Sequence, residues 1–209
     1  MTKQGNNPII IVPNSTKLGT AMTELEYSRI YSANELNHLG FSSNALTDLI
    51  RNKKLTRIKR GFYALGSDDP LLSVVQLFPE GILCLESALY YHGYLSKMPD
   101  VLSIAVGKNN NRHKYAHSTL PLKAYFRDDK YIRLGVMRGE YRESLCYIYN
   151  KERTICDCIR RRSLISDECY RRAMQMYAAD PDKDLERLLL YAKVLHIEKK
   201  VRLLVDSFL

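Results

Sequence analysis

The chain has no tryptophan, only 10 glycines and 7 prolines in 209 residues, and no internal repeat. No apolar run approaches the roughly 20 residues that a membrane-spanning helix needs, so no membrane partner is expected. The cysteines are few and odd in number: Cys84, Cys146, Cys156, Cys158 and Cys169. With a polar rather than targeting-like start from Met1 to Asn7, they argue against a disulfide framework and for a cytoplasmic protein with reduced, mostly buried thiols. Several chemical signatures are missing too. Gly135 and Gly139 are not followed by the Lys and Ser or Thr of a phosphate-binding loop. Ser87 lacks a nucleophile elbow, and its spacing from His92 does not bring the two onto one helix face.

Metal chemistry finds little support. Cys156 and Cys158, two apart on a helix, point to nearly opposite sides. His113 and His117 have the spacing of a helical metal pair but lie beside Asn109, Asn110 and Asn111 in a polar stretch that reads as a loop. Asp100 with Glu198, Lys199 and Lys200 parallels the acid and lysine pattern of a metal-dependent nuclease, but the two parts are far apart in the chain and the second falls in a helix. No catalytic residue, metal or cofactor is therefore expected, and the chain does not read as an enzyme.

What is abundant is positive charge. There are 32 Lys and Arg against 23 Asp and Glu, a net charge of +9, within an ordinary globular composition of 45 % hydrophobic and 26 % charged residues. The length allows two modest domains. The excess is uneven, with nine basic residues against four acids up to Gly66. That is the footprint of one module docking on a polyanion.

The pattern from Ser32 to Leu65 gives that module a form. Ser32 and Glu35 make a capping box, Ala33, Leu36 and Leu39 recur at helical spacing, and Gly40 stands where a left-handed residue ends a helix. Phe41 is an apolar plug and Ser42 a second cap. Ala45, Leu46, Leu49 and Ile50 form the inner stripe of a second helix, so two helices meet across a glycine turn. Ser43, Asn44, Thr47, Asp48 and Arg51 fall on its outer face. Asn can bond adenine, Arg guanine, and a Thr methyl can touch thymine, while Asp48 is expected to pair with a nearby Lys or Arg or to read cytosine.

Arg51, Lys53, Lys54, Arg57, Lys59 and Arg60 then crowd six basic residues into ten, without an acid. Leu55, Ile58, Phe62 and Leu65 are separated by polar positions, with Gly61 at the turn of a hairpin. The segment reads as a winged DNA-binding module with Lys59, Arg60 and Gly61 at the wing tip. Its helix would read bases through Ser43, Asn44, Thr47 and Arg51, while Lys53, Lys54, Arg57, Lys59 and Arg60 hold phosphates. A second reading is an RNA-binding module that takes single strands or tRNA with the basic hairpin and some of the fifteen tyrosines.

Around this core, Pro8 and Pro13 bracket the apolar Ile9 to Val12 in an N-terminal arm, and Ser15 to Ile30 is expected to supply a first helix. The turn-rich Gly66 to Pro70 suggests a domain boundary, giving domains at 1–69 and 70–209. The fold class expected is α+β, a winged helix-turn-helix domain followed by a mixed α/β domain ending in helices. Helices are expected at Leu71 to Phe78 and Glu86 to His92, and strands at Leu102 to Val106, Leu122 to Phe126, Ile132 to Val136 and Leu145 to Tyr149. Helices follow from Lys151, with Ser166 as a cap and Pro181 as a breaker. Arg160, Arg161 and Arg162, with Arg171 and Arg172, form either a second polyanion surface or a solvated helix end.

Four segments carry a family resemblance: Ser32 to Gly40, Leu55 to Leu65 (LTRIKRGFYAL), Leu85 to Gly93 (LESALYYHG) and Lys151 to Arg161 (KERTICDCIRR). In this order they resemble the AbiEi antitoxins of bacterial type IV toxin–antitoxin and abortive-infection systems, which serve in phage defence. Ser87, Ala88, Leu89, His92, Gly93, Glu152, Arg153, Thr154 and Asp157 are the more specific matches. The resemblance implies a winged domain that represses its own operon by binding inverted repeats in promoter DNA. It also implies a C-terminal domain that counters a nucleotidyltransferase-like toxin without forming a stable complex with it.

Overall fold

The computed structural model describes residues 25–26, 29–65, 69–116 and 120–206. The chain is α+β and divides into two compact units, residues 1–77 with 117–120 and residues 78–116 with 121–209.

In the first unit, local sequence signals set most of the geometry. Strand β1 (Ile30–Ser32) runs straight into helix α1 (Ala33–His38), and Ser32 joins them. Its hydroxyl accepts the Glu35 N–H at 3.2 Å, and the Glu35 carboxylate accepts the Ser32 N–H at 2.7 Å. Gly40 takes a φ of 90°, which lets the Phe41 N–H fold back to donate to the Leu36 carbonyl at 2.9 Å. Helix α2 (Ser43–Arg51) follows, capped by the Ser42 hydroxyl. The hairpin of β2 (Thr56–Lys59) and β3 (Phe62–Ala64) turns at Gly61, whose φ is 81°. The sheet order is β1-β3-β2, antiparallel throughout, with an irregularity between Arg57 and Lys59. Leu25, Tyr31, Leu36, Phe41, Leu46, Leu49, Leu55 and Leu65 close one core beneath these elements.

Two expectations are corrected here. Ile30 opens a strand opposite Ala64 and is not part of a helix; the rest of the expected first helix through residue 24, and the arm before it, lie outside the described residues. The boundary also moves from residue 69 to residue 77, because helix α3 (Pro70–Leu77) belongs to the first unit. Asp69 starts that helix by accepting the Leu72 N–H at 3.0 Å. Gln76 then ties it back, its side-chain carbonyl accepting the Ile30 N–H at 2.9 Å. Asp69 and Pro70 thus mark the start of a helix and not the end of a domain.

The second unit is built on a five-stranded mixed sheet. Its elements in order are β4 (Ile82–Leu83), α4 (Leu85–Tyr91), β5 (Leu102–Gly107), α5 (His113–Ala116), β6 (Leu122–Arg127), α6 (Asp129–Ile132), β7 (Val136–Tyr141) and β8 (Ser144–Tyr149). Helices α7 (Lys151–Arg160), α8 (Asp167–Ala179), α9 (Leu185–Val194) and α10 (Glu198–Asp206) complete it. The strand order is β6-β5-β4-β8-β7, with β5–β6 and β4–β8 parallel and the other pairs antiparallel. Ile82, Ala105 and Tyr149, on the sheet, pack with Leu89, Ile155, Cys158, Tyr177, Leu188 and Ala192 from the helices. Asn150, Ser166 and Asp184 cap α7, α8 and α9 through their side chains, so the helix start at Ser166 follows the expected cap.

The expected strand from Ile132 to Val136 is replaced by the end of α6, a turn at Gly135 with φ 72°, and the start of β7. The Arg153 guanidinium donates to the Tyr131 and Leu134 carbonyls at 2.7 and 2.8 Å. Those carbonyls therefore bond a side chain and not a neighbouring strand. A Cβ on Gly135 would sit 2.5 Å from the Arg153 Cβ. His113 starts a one-turn helix and not a loop, and His117 lies outside the described residues.

Candidate nucleic-acid interface

The residues on the outer side of α2 are placed there by the inner ones. With Leu46 and Leu49 buried, Ser43, Asn44, Thr47, Asp48 and Arg51 are all exposed. The polar side chains thus share the face opposite the core. The Thr47 hydroxyl donates back to the Ser43 carbonyl at 3.0 Å, which occupies its hydrogen. Arg51 forms an ion pair with Asp48 at 3.8 Å, with both side chains largely in water. Such a pair contributes little to stability and can open to release Arg51. Asp48 therefore pairs with a nearby Arg, one of the two roles expected of it.

The chain leaves α2 through Lys53, whose φ of 54° is left-handed. For a residue with a Cβ this conformation is strained, typically by about 1 kcal/mol. Lys53, Lys54, Arg57 and Arg60 are exposed and, among the described residues, have neither a hydrogen bond nor an ion pair through their side chains. Lys59 is half-buried, its ammonium 5.8 Å from the centre of the Phe62 ring. The structure therefore brings the nine expected contact residues onto one helix, the turn that leaves it and the hairpin that follows, with Lys53 and Lys54 in the first turn and Arg60 in the hairpin turn. Acid compensation is slight. Glu26 and Glu35 are engaged by Arg29 at 3.3 and 3.7 Å, and Glu35 is held below the usual carboxylate range mainly by the Ser32 backbone and hydroxyl.

Sequence reasoning did not anticipate the buried charge in the second unit. Glu152, Arg153, Thr154 and Asp157, all buried in α7, form part of a polar interior. Asp157 lies 3.3 Å from Arg153 Nε and 3.9 Å from Arg127 Nη2, while Glu152 accepts the Asp184 N–H at 3.2 Å. The signal available was the dense run of charges inside a segment with otherwise regular apolar spacing. Arg162 leaves the basic run, because α7 ends at Arg160 and Arg162 pairs with Asp167 and stacks on Tyr170. Arg171 and Arg172 line a cleft of about 590 Å³ with Lys97, Ser166 and Glu168, to which Arg160, Arg161 and Arg162 do not contribute.

The other candidate chemistries do not converge. The Ser87 hydroxyl accepts the Ser103 N–H at 2.7 Å, and His92 Nε2 lies 2.8 Å from the Tyr149 carbonyl, so both side chains are used in holding the sheet. The five thiols are free. Burial raises Cys84 and Cys158 far out of the nucleophilic range and, with the nearby Asp157 charge, pushes Cys156 up to about 12. Glu198 pairs with Arg202 at 2.7 Å. No group of three or more His, Cys, Asp or Glu among the described residues is placed to hold a metal. No described helix is long and apolar enough to cross a membrane.

Comparisons with known proteins give a fold relative and no family. No family model matches the chain, and no curated protein matches it. Among solved structures it is similar to the RV2827C protein from Mycobacterium tuberculosis, with a TM-score of 0.63 and 15 % sequence identity. The match covers 86 % of this chain and 72 % of that one. At that identity the likeness concerns the fold alone.

Proposed function

We propose that the protein is a sequence-specific DNA-binding repressor, with the first unit acting as a winged helix-turn-helix. The observation that carries this reading is the set of exposed cations on the α2–β2–β3 segment. Lys53, Lys54, Arg57 and Arg60 have no side-chain partner among the described residues, beside a helix face of Ser43, Asn44, Thr47 and Arg51. A helix with short polar side chains fits a major groove, and a basic hairpin beside it fits the phosphate backbone. Base reading falls to the helix and register to the hairpin.

The resemblance to AbiEi antitoxins extends the proposal. In that reading the protein binds inverted repeats in its own promoter, and the second unit opposes a nucleotidyltransferase-like toxin without a stable complex. The repressor half is supported by charge and geometry, the antitoxin half by the resemblance alone. Fluorescence anisotropy against the chain's own promoter duplex and a scrambled duplex, across a salt series, tests the first half. Salt-sensitive binding that prefers the promoter supports it. Equal weak binding to both, or tighter binding to single-stranded RNA, overturns it.

A further inference from the structure

Charge in the second unit converges on Arg127, the last residue of β6, in a way the proposed DNA face does not use. Its side chain is 5 % exposed. Nε and Nη2 are sealed from solvent without a hydrogen-bond partner, as are Arg153 Nε and both Asp157 carboxylate oxygens, and the ion pair of Arg127 with Asp157 is long at 3.9 Å. A guanidinium carries five N–H donors, and burying them without acceptors is strongly unfavourable. Buried groups left in this state point to a ligand or water that satisfies them.

Asp157 cannot neutralise the cluster alone. Its Oδ2 is also 3.3 Å from Arg153 Nε, so one carboxylate serves two guanidinium groups. Arg153 has further partners, donating to the Tyr131 and Leu134 carbonyls and stacking 4.2 Å over the Tyr149 ring. Arg127 has none of these. Its Cζ lies 5.5 Å from the Tyr125 ring, which the Lys123 ammonium also approaches at 5.4 Å.

The end of α7 adds two more cations. The Arg161 N–H donates to the Asp157 carbonyl at 2.9 Å, anchoring the last turn beside the same aspartate. The half-buried Arg161 side chain has no hydrogen bond or ion pair among the described residues. Partial burial and the like charges of Arg127 and Arg160 lower its pKa, against the opposing pull of Asp157 and Tyr125. Arg160 is exposed, its Cζ 5.7 Å from the Tyr131 ring. Two guanidinium groups thus share one buried carboxylate, with Arg160 and Arg161 at the helix turn that follows it.

We propose that Arg127, Arg160 and Arg161 form a binding site for a small phosphate-bearing anion, a phosphate monoester or phosphoanhydride. Such a group brings two or more negative charges and several acceptor oxygens, which match planar guanidinium donors better than a lone carboxylate does. Arg127 supplies the desolvated donors, Arg161 closes the site and Arg160 forms its rim. Arg153 holds Asp157 in place and is a positioning residue.

The test is calorimetric titration of the full chain with inorganic phosphate, pyrophosphate and ATP at constant ionic strength, repeated with Arg161→Ala, Arg160→Ala and Arg171→Ala. We expect saturable one-to-one binding of at least one of the three, weakened roughly tenfold or more by Arg161→Ala and unchanged by Arg171→Ala. A parallel thermal-shift series should show the bound anion raising the Tm of the natural chain and not that of Arg161→Ala. This variant changes a half-exposed side chain, so it avoids the folding defect that a change at Arg127 risks. Comparable affinity for phosphate and ATP would identify a free-phosphate site; preference for ATP would identify a nucleotide site. Absence of saturable binding by all three, or equal weakening by Arg171→Ala, overturns the proposal.

Discussion

The two units use positive charge in opposite ways. On α2 and its hairpin, cations stand in water with few internal partners; in α7 and β6, Arg153 and Arg127 are buried with Asp157 between them. A charge in water adds little to folding and remains available to a ligand. A buried charge is part of the fold, because removing one partner leaves the other stranded. Function and stability are therefore expected to separate by unit when single residues are changed.

The largest stability effect is predicted at Arg153. Arg153→Ala removes the Asp157 contact, two carbonyl hydrogen bonds and the stack on Tyr149 together, so urea unfolding should show a loss of about 3–5 kcal/mol. A loss under about 0.5 kcal/mol, the usual surface value, would erase the contrast between the units. Next comes the cap at the start of α1. Ser32→Ala should destabilise the first unit by about 1 kcal/mol in thermal or urea unfolding, and an unchanged midpoint would mean that the capping box is not a stabilising feature.

Acid sharpens the comparison in the second unit. Burial works against ionisation of Asp180, but Lys151 at 2.7 Å and the Tyr94 hydroxyl at 2.6 Å hold its carboxyl down at about 2, below the usual 3.8. A depressed folded pKa contributes stability that is present above 3.8 and is lost as pH falls towards about 2. Asp180→Asn should flatten that part of the stability–pH curve; an unchanged curve would rule out this source. The smallest effect is expected at Lys53. Lys53→Gly should relieve the left-handed strain, changing unfolding free energy by about 0.5–1 kcal/mol in the stabilising direction, while weakening DNA binding. A variant that loses stability instead would contradict the strain.

What the sequence disclosed depended on how local the determinant was. Ser32, Glu35, Gly40, Ser42 and Gly61 each act within a few residues, and the caps and turns they imply are present. The α2 stripe was equally legible, because Leu46 and Leu49 fix which residues remain outside. The misplaced domain boundary and the absent strand at Ile132 had distant causes, Gln76 bonding Ile30 and Arg153 capturing two carbonyls. Strand β4, only two residues long, has no alternation to read. The buried Arg127 and Arg153 were equally hidden, since an arginine looks alike in sequence whether it meets water or a distant aspartate.

The most direct test of the central claim is the salt dependence of promoter binding by the natural chain and by a variant carrying both Arg57→Ala and Arg60→Ala. Each phosphate contact contributes about 0.9 to the slope of log affinity against log salt. The double variant should lose roughly two units of slope while its urea midpoint stays within experimental error of the natural chain. An unchanged slope at unchanged stability would show that the hairpin does not touch the duplex and would contradict the account.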